Sequence, residues 1–68
     1  MKSIQVYVKE IVVGDTLDGD GSTITKVSRK ADDPTQVILH CHNSCEDYTV
    51  QYGEDDTEWV IPPVIITV

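Results

Sequence analysis

The sequence predicts an all-β fold, built as a single small barrel of about five to six antiparallel strands. Short segments in which apolar and polar residues alternate recur roughly every 8 to 12 residues, and turn-forming residues separate them. No segment shows the apolar spacing of three and four that is typical of a helix. With 68 residues and 7.6 kDa, the chain is expected to form one domain over residues 1–68, and a closed or nearly closed sheet would hide its edges.

The first half of the chain predicts two strands with an irregular connection. Apolar and polar residues alternate over residues 3–9, which is typical of a half-buried strand. Residues 14–22 are rich in Gly and Asp, so they predict a hairpin or an irregular loop. Residues 23–29 are rich in β-branched side chains, but Ile24 and Val27 lie three positions apart. That spacing breaks strict alternation and predicts a β-bulge.

The second half predicts a central hairpin followed by two shorter strands. Residues 31–35 contain a proline and predict a turn. Alternation over residues 37–42 and again over residues 48–52, with a polar connection between them, predicts a hairpin. Residues 58–61 are expected to be extended up to a Pro-Pro pair, and residues 64–68 to form a final apolar strand.

The predicted core follows from the apolar faces of these strands. Tyr7 shares its strand face with polar residues and is expected at the surface, whereas Trp59 alternates with Ile61 and is the aromatic residue expected inside. The core candidates are Ile4, Val6, Val8, Val13, Leu17, Ile24, Val27, Val37, Leu39, Cys41, Val50, Trp59, Ile61 and Ile65.

The charge is divided unevenly along the chain. The formal net charge is −7, from 5 Lys and Arg against 12 Asp and Glu, with a pI of about 4.3. All the cations lie in residues 1–30, so residues 31–68 carry a charge of −8. This balance disfavours direct binding to nucleic acids or to anionic membranes. It predicts either a solvated surface that keeps a small protein in solution or a negative face for a basic partner.

The densest cluster of chemically active side chains runs from His40 to Cys45. His40 and His42 are two apart on a predicted strand and point the same way, and Cys45 follows in the next turn. These three residues form a candidate zinc site. The alternative is two exposed histidines, an exposed Cys45 and a buried Cys41 that acts as a small apolar residue.

Catalysis has little support in the sequence. A nucleophile pair of Cys45 with His42 would lack an orienting third group and an oxyanion hole. We therefore expect no enzyme activity and no cofactor.

The order of these features resembles a Src-homology-3-like barrel. The resemblance rests on the Val-Gly-Asp turn of residues 13–15, the turn-rich loop, the Thr-Ile-Thr-Lys-Val strand that begins at Thr23, the central hairpin, and Trp59 before a Pro-Pro turn. The Ala-Leu-Tyr-Asp-Tyr segment of the signalling members is absent, so their binding of proline-rich peptides is not implied. The opening of residues 11–17 is similar in style to small acidic barrels encoded by bacteriophages, whose function is uncharacterised.

These observations predict a small acidic protein-interaction module that binds a basic protein surface. Carboxylates beside aromatic rings could receive Lys or Arg side chains through ion pairs and cation–π contacts. The alternatives are a zinc-binding module, or a nucleic-acid mimic that inhibits a host DNA-binding protein. The residues predicted to bind the partner are Glu46, Asp47, Tyr52, Glu54, Asp55, Asp56 and Glu58.

The sequence also predicts where the protein works and in what state. No secretory signal and no apolar membrane span are visible, and two cysteines four apart are a poor disulfide framework. We expect a cytoplasmic protein with reduced thiols, located in the host cytoplasm if a phage encodes it. The apolar residues 64–68 leave open whether the protein is a monomer or a homodimer.

Overall fold

The computed structural model describes residues 2–63, and within them the chain forms six strands and one short 3-10 helix. The helix covers Val8–Glu10. The strands are β1 (Ile4–Tyr7), β2 (Thr16–Leu17), β3 (Thr23–Lys30), β4 (Asp33–His42), β5 (Asp47–Gly53) and β6 (Thr57–Ile61). The predicted strand over residues 64–68 and the core candidate Ile65 lie outside the described residues.

The six strands form one antiparallel sheet in the order β1-β6-β2-β3-β4-β5, which confirms the all-β prediction. The sheet is not closed, because β1 and β5 are its two edges. The central hairpin of β4 and β5 is confirmed, with an unbroken register from His42 opposite Asp47 to Gln36 opposite Gly53. No helix in this part of the chain has the length and apolar character that a membrane crossing needs.

The predicted bulge in β3 is present. Ile24 lies opposite Cys41 and Lys26 lies opposite His40, so Thr25 is an extra residue in β3. The extra residue resets the alternation, and Ile24 is fully buried while Val27 packs against the same core.

The turn predicted over residues 31–35 is shorter than expected. β3 ends at Lys30 and β4 already begins at Asp33, so Pro34 lies within a strand. Lys30 is paired with Asp33, but Arg29 is paired with Val37, and this shift takes Pro34 out of the β3 ladder. A proline is tolerated there because the ladder needs no N–H from it.

The core lies on the inner face of the curved sheet. Val6, Val27 and Val50 are partly buried against it, as predicted. The buried apolar side chains are Val8, Ile11, Leu17, Ile24, Val37, Leu39, Cys41 and Val60.

The predicted core is wrong at several positions. Trp59 is 49% exposed, and Ile4 and Val13 are also exposed, whereas Ile11 and Val60 are buried. Trp59 is on the outer face because its neighbour Val60 is the β6 residue that points into the core.

Candidate functional site

The residues predicted to bind a partner lie in three separate places. Glu54, Asp55 and Asp56 form the turn between β5 and β6. Residues 46–47 lie where the turn between β4 and β5 ends. Tyr52 and Glu58, the remaining two, lie on β5 and β6 and face each other across the inner side of the sheet.

The acids of the β5–β6 turn are largely paired within the chain. Glu54 Oε1 lies 3.1 Å from Arg29 Nη1, and Asp55 Oδ1 lies 3.3 Å from Lys9 Nζ. Asp56 instead accepts the backbone N–H of Gly53 at 2.9 Å and thereby holds the turn. Two cations from the first half of the chain therefore offset charge that the sequence had left unbalanced in the second half.

Two further acids, Asp20 and Glu58, line a groove that we call the tyrosine groove. It has a volume of about 210 Å³. Small-molecule sites usually start at about 300 Å³, so this space suits one side chain better than a whole ligand. Its main lining residues are Tyr48, Val50 and Tyr52 of β5, Leu17 of β2, Asp20 in the turn after β2, and Glu58 of β6.

Tyr48 closes one end of the tyrosine groove. Its hydroxyl donates a hydrogen bond to the Asp20 carboxylate and lies 3.0 Å from the buried Ser22 Oγ. Asp20 also accepts the backbone N–H of Ser22 at 3.0 Å. These bonds, above all that from Tyr48, lower the pKa of Asp20, and the Asp20 bond raises the pKa of Tyr48. At neutral pH, Asp20 is therefore an anion and Tyr48 is neutral.

Tyr52 and Glu58 close the other end. The Tyr52 hydroxyl donates to Glu58 Oε2 at 3.2 Å, and Glu58 Oε1 accepts the backbone N–H of Trp59 at 2.9 Å. Burial raises the pKa of Tyr52, and the negative charge of Glu58 raises it further. Both ends of the tyrosine groove thus combine a neutral phenol with a carboxylate.

In the described part of the chain, no Lys or Arg is among the residues that line the tyrosine groove, so its two carboxylates are not balanced by a lining cation. Each carboxylate still has free lone pairs, because a carboxylate accepts up to about four hydrogen bonds. Tyr rings attract cations placed over their faces. A Lys or Arg side chain is the group that these features would receive best.

The histidine cluster is arranged differently from a metal site. His40 Nε2 lies 3.2 Å from Ser28 Oγ on β3, whereas His42 Nδ1 contacts the Asp47 carboxylate on β5. The two rings therefore turn toward opposite neighbouring strands, and Cys45 is exposed in the turn beyond. Within residues 2–63 no three His, Cys, Asp or Glu side chains come together in a group that could hold a metal ion.

Sequence reasoning identified two of the four acidic and phenolic side chains that line the tyrosine groove. Tyr52 and Glu58 belong to the predicted partner-binding set, whereas Asp20 and Tyr48 were not part of it. The available signal was the alternation of β5, which puts Tyr48 on the same face as Tyr52.

Comparisons of the chain with protein-family models, with curated proteins and with solved structures give no match.

Proposed function

We propose that the protein is a non-enzymatic interaction module that binds a basic surface of another protein through the tyrosine groove. One observation carries this proposal. Two carboxylates, Asp20 and Glu58, and two phenols, Tyr48 and Tyr52, line one groove that has no Lys or Arg among its lining residues within residues 2–63. The acids of the β5–β6 turn give the proposal less support, because Lys9 and Arg29 already form ion pairs with two of them.

The groove fits a cationic side chain for two physical reasons. Hydrogen bonds between a carboxylate and an ammonium or guanidinium group are about twice as strong as neutral ones. The phenol rings add apolar contact and cation–π attraction, which are typical of residues that dominate binding energy at protein interfaces. Acids outside the groove would raise the association rate through their longer-range field.

Affinity capture from a bacterial lysate tests this proposal. The immobilised wild-type protein is compared with an Asp20→Asn, Glu58→Gln double variant, which keeps the shape of the groove and removes its charge. Asp18→Asn is the control, since Asp18 is an exposed carboxylate outside the groove. Urea unfolding of each variant checks that it is folded.

The expected result is a set of captured basic proteins that the double variant loses and the control retains. The capture should also weaken between about 0.1 M and 1 M salt, where the screening length falls from about 10 Å to 3 Å. If the double variant captures the same proteins as the wild type, and the yield does not fall in high salt, the result would count against electrostatic recognition by the groove.

A bacteriophage origin and a place in the host cytoplasm complete the proposal. They rest on the resemblance of residues 11–17 to the opening of small acidic phage barrels. The genomic neighbourhood of the coding sequence would test them, since phage genes on both sides are expected.

A further inference from the structure

β5 has one backbone edge without a neighbouring strand in the described part of the chain, because it is the last strand of the sheet. The β4–β5 ladder is flanked by two bonds, from Asn43 N to Glu46 O at 3.0 Å and from Glu54 N to Thr35 O at 2.8 Å. Hydrogen-bonded pairs alternate in an antiparallel ladder. Counting from either bond, every second residue of β5 points its N–H and C=O toward β4.

This alternation identifies the groups on the free edge. The backbone groups of Tyr48, Val50 and Tyr52 bind β4, so those of Thr49 and Gln51 point away from it. Both residues are exposed.

Within residues 2–63, β5 also lacks a lysine, a proline and a bulge, three features that keep natural edge strands from pairing with another chain. Natural edge strands are protected by Lys or Pro, by a bulge, or by being very short. β5 has seven residues, none of them Lys or Pro, and its register with β4 is unbroken. The opposite edge, β1, has only four residues and leads directly into the 3-10 helix.

We infer that this edge binds an extended segment of the partner as an added strand, with a Lys or Arg opposite Val50. Residues directly opposite each other on paired strands project from the same face of the sheet. Val50 lines the tyrosine groove between Tyr48 and Tyr52, so the opposing side chain would enter it. The negative charge of Asp20 and Glu58 selects a cationic side chain there. This inference rests on the proposed function and specifies how the partner docks.

The probe is a nine-residue peptide of alternating Thr and Gln with one central Lys. It is titrated into the isotope-labelled full-length protein, and binding is followed by NMR shifts and by amide hydrogen exchange. Binding should protect the amides of Thr49 and Gln51 from exchange. A second peptide is N-methylated on the residues flanking the Lys, so it cannot donate N–H bonds to the carbonyls of Thr49 and Gln51, and a third has Glu in place of Lys.

Two variants at Thr49 test the free edge and leave the lining residues of the groove unchanged. Thr49→Pro blocks the free edge but removes no bond to β4, whereas Thr49→Ala keeps the N–H and serves as the control. We expect Thr49→Pro and N-methylation each to weaken binding of the Lys peptide by about tenfold or more. If Thr49→Pro fails to fold, the N-methylated peptide on the wild-type protein gives the same test.

Every outcome decides the inference. Equal binding by the N-methylated peptide, no protection of Thr49, or no binding of the Lys peptide would each overturn it. The proposed function would then still be judged by the capture experiment with the Asp20→Asn, Glu58→Gln variant. A concentration-dependent dimer that Thr49→Pro abolishes would also overturn it, since a second copy would then occupy the edge.

Discussion

The same valine-to-alanine change at Val60, which is buried, and at Val13, which is exposed, gives a matched test of the core. Val60 is 1% exposed and Val13 is 60% exposed. Val60→Ala removes two methyl groups, and at about 0.8 kcal/mol for each, plus a contribution from the cavity, the loss is about 2 kcal/mol. Val13→Ala should change the free energy of unfolding by less than about 0.5 kcal/mol.

Urea unfolding followed by circular dichroism measures both variants. At about 0.05 to 0.15 kcal/mol per residue, a 68-residue domain has a free energy of unfolding of about 3 to 10 kcal/mol. With a slope of about 1 kcal/mol per molar urea, the Val60→Ala midpoint should fall by about 2 M. Equal losses in the two variants, or a larger loss in Val13→Ala, would refute the placement of Val60 in the core.

Three further predictions concern a turn, the thiols and alkaline pH. Gly21 has a φ of +73°, so Gly21→Ala should lower the free energy of unfolding by about 1 to 2 kcal/mol. Gly19→Ala, at an open position with no positive φ, should be neutral or stabilise by up to about 1 kcal/mol in the same urea assay, and equal losses would contradict this. A thiol reagent should modify Cys45 in the folded protein and reach Cys41 only on unfolding, because burial shields Cys41 and raises the pKa of its thiol. Two fast thiols in the folded protein would count against that burial. Folding raises the pKa of Tyr52, so its contribution to stability is present below about pH 10 and is lost as the pH rises through the folded pKa. Tyr52→Phe should therefore flatten the alkaline decline in unfolding free energy, and an unchanged decline would argue against the shift.

The sequence predicted those parts of the fold that depend on local alternation. The central hairpin and the bulge between Ile24 and Val27 were both predicted correctly, because each leaves a period in the apolar pattern. β6 was assigned to the wrong face. Trp59 and Val60 are adjacent apolar residues, so the pattern fits either face, and choosing the larger side chain gave the wrong one.

The site was harder to predict because it depends on contacts between distant positions. Tyr48 and Asp20 are 28 residues apart, and Arg29 and Glu54 are 25 apart. No local pattern relates such pairs, since the curvature of the sheet brings them together. The uneven charge of the two halves was a correct reading of the sequence, but in space Lys9 and Arg29 reach across to the acidic turn.

The pairing of β1 with β6 affects how the chain can fold. Ile4 lies opposite Val60, and the N–H of Val8 binds the carbonyl of Asp56 at 2.7 Å. Among residues 2–63, β1 pairs only with β6, so it gains this neighbour only after β6 has been synthesised, and closing that long loop has an entropic cost before its contacts form. Topologies dominated by such distant pairs fold in about milliseconds to seconds. Until β6 has been made, the backbone hydrogen-bonding groups of β1 have no partner strand among residues 2–63, so the protection of β1 depends on a strand that is synthesised much later.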